Sequence, residues 1–390
     1  MNSTNVENAC RVCSSTGLIG IFESPGNLSF TSAQVPLPLK IRVAYCRSCG
    51  HAQTPPLSDI DSYYDTSYNF RNRDPEEDDI YSVSGDQIAY RSTHQTKVVE
   101  RKIDLTHDLR VLDYGCGKAV SLRQLVDRHP NVVPFAFDVS EAYITSWNEF
   151  IPAENQSSYR IPDLWCGQID VVLAFFALEH VEDPRDFIRT LRQVLRPDGR
   201  MHLVVPNLYR NASDLLVADH VNHFSPSSLH RLLHDAGFGN IEIDAESHRA
   251  AFVVNASRIS ALSPSPSTQT HQIAETESHL RAIADGWFAS ALKIVSFEKK
   301  APRRKAAIYG SGVYGLFIAS TLTSLDNLAY FLDMSPYRQG LTLFDRPVID
   351  PREIEDDVEA VLVGLNPRDA RQIIEQTPSL HTVRREFVYL

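Results

Sequence analysis

The sequence predicts an α/β protein built on parallel sheets. One observation is a series of short apolar runs, RVLDYG (110–115), VPFAFD (133–138), DVVLAFF (170–176) and RMHLVVP (200–206), too short for helices and free of polar alternation. Such runs suit strands covered on both faces. A second is that helical patterns lie between them, as in DPRDFIRTLRQVL (183–195), where Phe187, Leu191 and Leu195 recur at helix spacing. A third is that the alternation restarts after residue 300 with KAAIYG, LAYFLD and AVLVGL, which predicts a second, smaller parallel sheet.

At 390 residues the chain exceeds one ordinary core. Four segments separate by texture: 1–75, a cysteine-bearing domain; 76–262, the larger α/β domain; 263–300, a linker and helix; and 301–390, the smaller α/β domain. The acidic run DPEEDD (74–79) reads as a solvated connection, and SPSPSTQT (263–270) as the linker ahead of a helix over 271–299. RPDG (196–199) is expected to turn the chain from the preceding helix into the next strand.

With 38 basic and 49 acidic residues the net charge is −11, which argues against a general nucleic-acid or anionic-membrane binder. The longest apolar run, VVLAFFAL (171–178), is far shorter than the roughly 20 residues a bilayer requires. No secretory signal opens the chain and the cysteines are not paired as in a secreted scaffold, so a cytoplasmic protein is expected.

Cys10-x-x-Cys13 and Cys46-x-x-Cys49 are two CxxC knuckles, the second followed by Gly50 and His51. A two-residue spacer lets both thiolates reach one ion, and two such pairs complete the four-sulfur tetrahedron that zinc prefers. Four thiolates leave no open position, so the expected zinc is structural. A redox CxxC lacks its βαβ setting, and His51 reads as a rim residue.

Two glycine loops compete for a nucleotide. In VLDYGCGKAV (111–120), Asp113 closes a strand, Gly115 and Gly117 permit close backbone approach, and a helix follows with its amides facing the loop. Asp138, 25 positions after Asp113, ends the next strand, where it can accept both hydroxyls of a ribose. Cys116 reads as a small residue beside the ligand, and Ala119 stands where a third glycine is common. Gly310-x-Gly312-x-x-Gly315, with Asp333 ending the following strand, is the fuller dinucleotide pattern, so an NAD-dependent dehydrogenase enters as an alternative.

FDVS (137–140), VVLAFFALEHVEDP (171–184), VLRPDGRMHLVVPN (194–207) and NHFSPSSLHRLLHDAGF (222–238) follow the first loop in order. This series resembles the class I S-adenosylmethionine-dependent methyltransferases. The resemblance implies that Gly115 and Gly117 line the methionine part of S-adenosylmethionine, that Asp138 holds its ribose, and that Ala174 and Phe175 lie beside it. Together with the cysteine knuckles, LDMSPYRQG (332–340) and RPVIDPREI (346–354), it extends to the three-domain sugar C-methyltransferases. Those enzymes act on nucleotide-linked deoxysugars and use their C-terminal Rossmann-like domain to enclose the substrate. That relationship implies a sugar-nucleotide role for the region around Gly310 and Gly312.

Methylating carbon requires a base next to a carbonyl. The family places a histidine in a Tyr-x-Glu-His motif, and the matching stretch is VADHVNHFS (217–225). His220 falls on the base, Asp219 on the neighbouring carboxylate, and Val217 replaces the tyrosine. His223, one turn on if the stretch is helical, is a substrate-contact candidate, and His180 in LEHVEDP is a second base candidate. Loss of the tyrosine favours an alternative, oxygen or nitrogen methylation of another small metabolite. A non-catalytic zinc protein sensing a nucleotide is a third reading. The expected partner in every enzymatic reading is a small-molecule acceptor.

Overall fold

The structure is a computed structural model that describes residues 9–57, 78, 80–84, 87–260, 270–300 and 302–390. Most of the acidic run 74–79, nearly all of the linker 263–270, and the expected boundaries near 75 and 262 lie outside the described residues. The chain divides into two compact units. The first comprises Met1–Ile19, Tyr45–Asn211 and Val221–Glu277; the second comprises Gly20–Ala44, Ala212–His220 and Ser278–Leu390. The segments are interleaved rather than sequential, so residues of the N-terminal 75 contribute to both.

The first unit holds a seven-stranded sheet. Its strands are β1 (Leu109–Tyr114), β2 (Val132–Asp138), β3 (Gln156–Ser158), β4 (Ile169–Phe175), β5 (Leu195–Pro206), β6 (Phe238–Asp244) and β7 (Ala251–Arg258). Their order is β3-β2-β1-β4-β5-β7-β6. Pairings from β3 through β5 are parallel, and β7 runs antiparallel to both β5 and β6. This is a Rossmann-like α/β sheet of the doubly wound kind, with its chain reversal at β1 and β4, where such folds place their ligands.

Period-two alternation sends Val172 and Ala174 to one face of β4 and Val171 and Leu173 to the other. The first face packs on α4 (Pro184–Val194) and α5 (Pro226–Asp235) through Phe187, Leu191, Leu229 and Leu232. The second packs on α1 (Arg91–Lys102), α2 (Val120–Arg128) and α3 (Ile144–Trp147) through Val99, Leu122, Leu125 and Trp147. Asp183 caps α4 by accepting from the amides of Arg185 and Asp186, with Pro184 in its first turn. Ser225 and Ser228 form a reciprocal capping box on α5.

RPDG does not form a free turn. Residues 196–199 are taken into β5, whose register on β4 jumps from Ile169↔Leu195 to Val171↔Arg200, and Asp198 adopts φ 63° to absorb the extra residues. The result is a strand with a bulge, which keeps Leu195 buried.

In the second unit, β8 (Ala306–Tyr309), β9 (Leu328–Leu332), β10 (Thr342–Leu343), β11 (Arg346–Ile349), β12 (Ala360–Val363) and β13 (Glu386–Tyr389) form a sheet ordered β10-β11-β9-β8-β12-β13. Only β10 is antiparallel to its neighbour. It is the expected smaller α/β sheet, covered by α7 (Val313–Thr321) and α8 (Ala370–Glu375). The expected linker helix is present as α6 (Thr270–Lys300). Among the described residues, no helix is long and apolar enough to cross a membrane.

Candidate functional site

The first glycine loop bridges β1 and α2. Both its Gly115 and Cys116 amides donate to the Phe137 carbonyl, at 2.8 and 3.1 Å, so the loop folds across the end of β2. Gly115 and Gly117 have φ of 75° and 50°, the left-handed region that favours glycine. A side chain at Gly115 would begin 3.0 Å from the Ala177 Cβ. Ala119 also sits left-handed, at φ 56°, as the residue before α2. That conformation explains why glycine suits the position, and the buried methyl group offsets part of its cost.

Asp138 draws the loop over itself: Oδ2 accepts from the Gly117 amide at 2.8 Å, and Oδ1 accepts from the Ser140 amide at 3.2 Å. Burial raises its pKa despite these bonds. Each carboxylate oxygen retains a lone pair for a hydroxyl. The Trp147 indole holds the same peptide from the other side, donating to the Gly117 carbonyl at 2.7 Å. Nothing in the sequence pattern pointed to this tryptophan, because it reads as one more apolar residue of a short helix.

Asp113 is 2% exposed, and its Oδ1 has no hydrogen-bond partner among the described residues. Burial, and secondarily the nearby Asp138 charge, push its pKa up to about 8. A cradle of two left-handed glycines, a ribose-capable carboxylate and an orphaned buried acid fits a nucleoside carrying a cation, and S-adenosylmethionine is such a molecule. At the end of β4, Phe175 is half-buried, whereas the Ala174 side chain belongs to the core with Leu112 and Val172. The next residue, Phe176, has φ 53°. A bulky aromatic held there is strained, as residues at binding sites often are.

The histidine stretch is not helical. Asn222–His223 is a strand paired antiparallel with Ala52–Gln53, so His223 is buried in the first unit with its Nε2 3.0 Å from Thr54 Oγ1. His220 belongs to the second unit, where its Nδ1 lies 2.6 Å from Oδ1 of Asp214. Asp214 is buried, in the short helix Ala212–Leu216. The carboxylate on His220 is therefore Asp214. Asp219, the one adjacent in sequence, instead accepts from Ser32 N and Ser32 Oγ, both at 2.6 Å. His180 lies half-buried in the short helix Leu178–His180, beside β4. That helix is tied to the histidine stretch by the Val221 amide on the Glu179 carbonyl at 2.8 Å and Asn222 Nδ2 on the Val181 carbonyl at 2.6 Å.

In the second glycine loop two of the three glycines are required by packing. A side chain at Gly310, φ 98°, would meet the Gly364 carbonyl oxygen at 2.4 Å, and one at Gly315 would meet the Gly310 oxygen at 2.0 Å. Gly312 faces open space. Asp333 turns inward: its Oδ2 accepts from Ser311 N at 3.0 Å and Ser311 Oγ at 2.6 Å. Asp138 makes the matching bond to the Gly117 amide, and Asp333 differs in also accepting from the Ser311 hydroxyl.

The four cysteines converge, all their sulfur atoms lying within 4.8 Å of one another. Cys10–Cys49 and Cys13–Cys46 are each 3.6 Å apart, close to the roughly 3.8 Å edge of a tetrahedron with zinc–sulfur bonds of about 2.3 Å. Each knuckle has a left-handed residue just after its second cysteine, Ser14 at φ 61° and Gly50 at φ 78°. The clustered thiols push Cys10 and Cys49 up and Cys13 and Cys46 down, so holding all four as thiolates takes a cation. His51 is fully buried rather than on the rim, with Nε2 3.2 Å from Asn222 Oδ1.

Comparison with known proteins agrees with the sheet and the loop. Residues 87–243 match a family model described as a methyltransferase domain. Trans-aconitate 2-methyltransferase of Variovorax paradoxus is 31% identical over 111 residues, 27% of this chain and 42% of the relative. The mitochondrial ubiquinone biosynthesis O-methyltransferase of Schizosaccharomyces pombe is 27% identical over 134 residues, 31% of this chain and 47% of the relative. The chain thus spans less than half the length of these two curated relatives. A solved S-adenosylmethionine dependent methyltransferase from Mesorhizobium loti superposes with a TM-score of 0.35 at 18% identity, covering 42% of this chain and 98% of that one. Over residues 87–243, which carry the first glycine loop and most of the seven-stranded sheet, the chain is similar to methyltransferase domains.

Proposed function

We propose that the protein transfers a methyl group from S-adenosylmethionine to a small polar metabolite. The observation that carries this reading is the loop Asp113–Gly117 folded over the end of β2, with Asp138 on the Gly117 amide and an orphaned acid beneath it. S-adenosylmethionine supplies a methyl group already activated on a sulfonium. The chain then has to position the acceptor in line and take its proton. Gly115 and Gly117 let the backbone approach the methionine portion, Asp138 accepts from the ribose hydroxyls, and Asp113 faces positive charge.

His220 is the proposed base. Asp214 on Nδ1 fixes the tautomer that leaves Nε2 as the proton acceptor and stabilises the imidazolium once the proton arrives. Asp219 buttresses the segment through Ser32. Cys10, Cys13, Cys46 and Cys49 are proposed to hold a structural zinc, on their tetrahedral spacing.

The finer proposal for the acceptor is a nucleotide-linked ketosugar methylated on carbon, supported by the order of cysteine knuckles, methyltransferase domain and C-terminal α/β sheet. O-methylation is the second reading. Val217 stands where a tyrosine would assist an enolate, and the Schizosaccharomyces relative is by name an O-methyltransferase. A histidine base serves either an enolisable carbon or a hydroxyl. Incubation with S-adenosylmethionine carrying a labelled methyl group, against nucleotide-linked 4-ketosugars and hydroxyl-bearing metabolites, tests the choice. Label on a sugar carbon supports the first reading and label on oxygen the second. Failure to label any acceptor, in protein that binds S-adenosylhomocysteine, counts against both.

A further inference from the structure

Beside the cofactor loop, in the same unit, lies a cluster of aromatic rings and cations that the methyl-transfer roles above do not use. Tyr81 stacks on His94 with ring centres 3.7 Å apart, and His248 meets both edge-on at 5.0 and 5.5 Å. Phe176 packs edge-on against His248 at 5.7 Å. The Arg91 guanidinium lies 5.3 Å over the Phe176 ring, and that of Arg249 lies 5.1 Å over Tyr81.

The hydrogen bonds settle which protons the cluster offers. His248 Nδ1 accepts from the Ala250 amide at 3.3 Å, so its proton sits on Nε2. That Nε2 is buried and has no partner among the described residues, and the residue is only 6% exposed. The Tyr81 hydroxyl oxygen accepts from the Arg249 amide at 3.1 Å, which leaves its own proton to donate elsewhere. His94 spends its Nε2 proton on the Ser247 carbonyl at 2.8 Å and acts as a platform. Burial, reinforced by His94, Arg91 and Arg249, holds His248 neutral with a pKa of about 4. Carboxylates on the same elements are already engaged: Asp78 by Ser92, and Asp244 by Lys102 and Ser247.

The cluster adjoins the cofactor loop. Phe176 precedes Ala177, whose Cβ lies 3.0 Å from where a side chain at Gly115 would start. Arg91 and His94 ride on α1, which is bonded to α2 through Ser121 Oγ on Gln95 Oε1 at 3.0 Å. The β6–β7 turn carrying His248 and Arg249 is pinned by Asp244, which accepts from the amides of Glu246 and Ser247 at 2.7 and 2.9 Å. Elements tied to one another by these bonds therefore hold the donors and the Arg249 cation in place, as a binding subsite requires.

We propose that Arg249, Tyr81 and the Nε2 proton of His248 form an oxyanion subsite that receives a carboxylate or phosphate group of the methyl acceptor, with Phe176 and His94 as its walls. The assignment rests on the methyltransferase reading of the adjoining loop, and it makes the acceptor an anion. The test uses full-length protein labelled with 15N-histidine and saturated with S-adenosylhomocysteine. It is titrated separately with inorganic phosphate and with citrate, against sodium chloride at equal ionic strength. The expected result is a saturable shift of imidazole signals with phosphate or citrate but not chloride; the more effective ion identifies the group. Arg249→Gln should weaken that binding about tenfold or more without changing the melting temperature, and Tyr81→Phe serves if the first variant fails to fold. Absence of a saturable shift with either oxyanion overturns the proposal, as does equal binding in the folded variants. If S-adenosylhomocysteine does not bind, the loop reading falls separately, and the same oxyanion titration without it still decides the subsite.

Discussion

Asp113 offers the sharpest perturbation. Its carboxyl is buried with an unpartnered oxygen, and burial first and Asp138 second raise its pKa to about 8 from an ordinary 3.8. Between these values the unfolded chain releases the proton while the folded protein keeps it. Folding stability contributed by this group is therefore present below about pH 4 and falls as pH rises toward 8. The slope is about 1.4 kcal/mol per pH unit, so across that window the ligand-free protein loses up to roughly 6 kcal/mol through this one group. Asp113→Asn keeps the shape and removes the titration. Relative to the parent, the variant should gain stability steadily from pH 5 to pH 8, read by urea unfolding at each pH. S-adenosylmethionine brings a sulfonium and an ammonium, so its binding at pH 7 should release a proton in the parent and not in the variant. Calorimetry in buffers of different ionisation heat measures this. Parallel stability curves for the two proteins, together with no proton release, would refute the reading of Asp113.

Three further outcomes follow from the site geometry. Metal analysis should find one zinc per chain, and Cys49→Ser or a strong chelator should lower the melting temperature, because Cys10, Cys46 and Cys49 are part of the first unit's core. Gly310→Ala should cost at least about 2 kcal/mol from its left-handed φ and the clash with the Gly364 oxygen, whereas Gly312→Ala, facing open space, should stay within about 0.5 kcal/mol; urea melts compare them. Once an acceptor is identified, His220→Ala and Asp214→Asn should each lower kcat by about 10²- to 10⁴-fold with a smaller effect on KM, and Asp214→Asn should also alter the acid limb of the pH–rate profile; unchanged turnover in both variants would remove the base.

Local chemistry was legible in the sequence, and long-range pairing was not. The seven apolar runs become strands because each is short, buried on both faces and bounded by turn residues. Gly115, Gly117 and Asp138 could be read together because one strand–helix–strand unit fixes their spacing. The cysteine pairs carried their own signal, although the burial of His51 did not. The Asp214–His220 bond was missed because six residues of short helix and turn separate the partners, and Asp219 was the nearer carboxylate in sequence. Its actual partner, Ser32, is 187 positions away, and no periodicity encodes such a contact. The Asn222–His223 strand was equally hidden, since it exists only through pairing with Ala52–Gln53. The fuller glycine pattern at 310–315 is weak evidence for a dinucleotide because glycine answers two different needs. At Gly310 and Gly315 the need is close packing of backbone on backbone.

The most direct measurement is a pair of calorimetric titrations of the full chain, one with S-adenosylhomocysteine and one with NAD. Saturable one-to-one binding of S-adenosylhomocysteine, weakened at least tenfold by Asp138→Ala, with no heat from NAD, is the predicted result. Binding of NAD without S-adenosylhomocysteine would contradict the assignment of the loop at 113–117 as the cofactor site and return the dehydrogenase reading to first place.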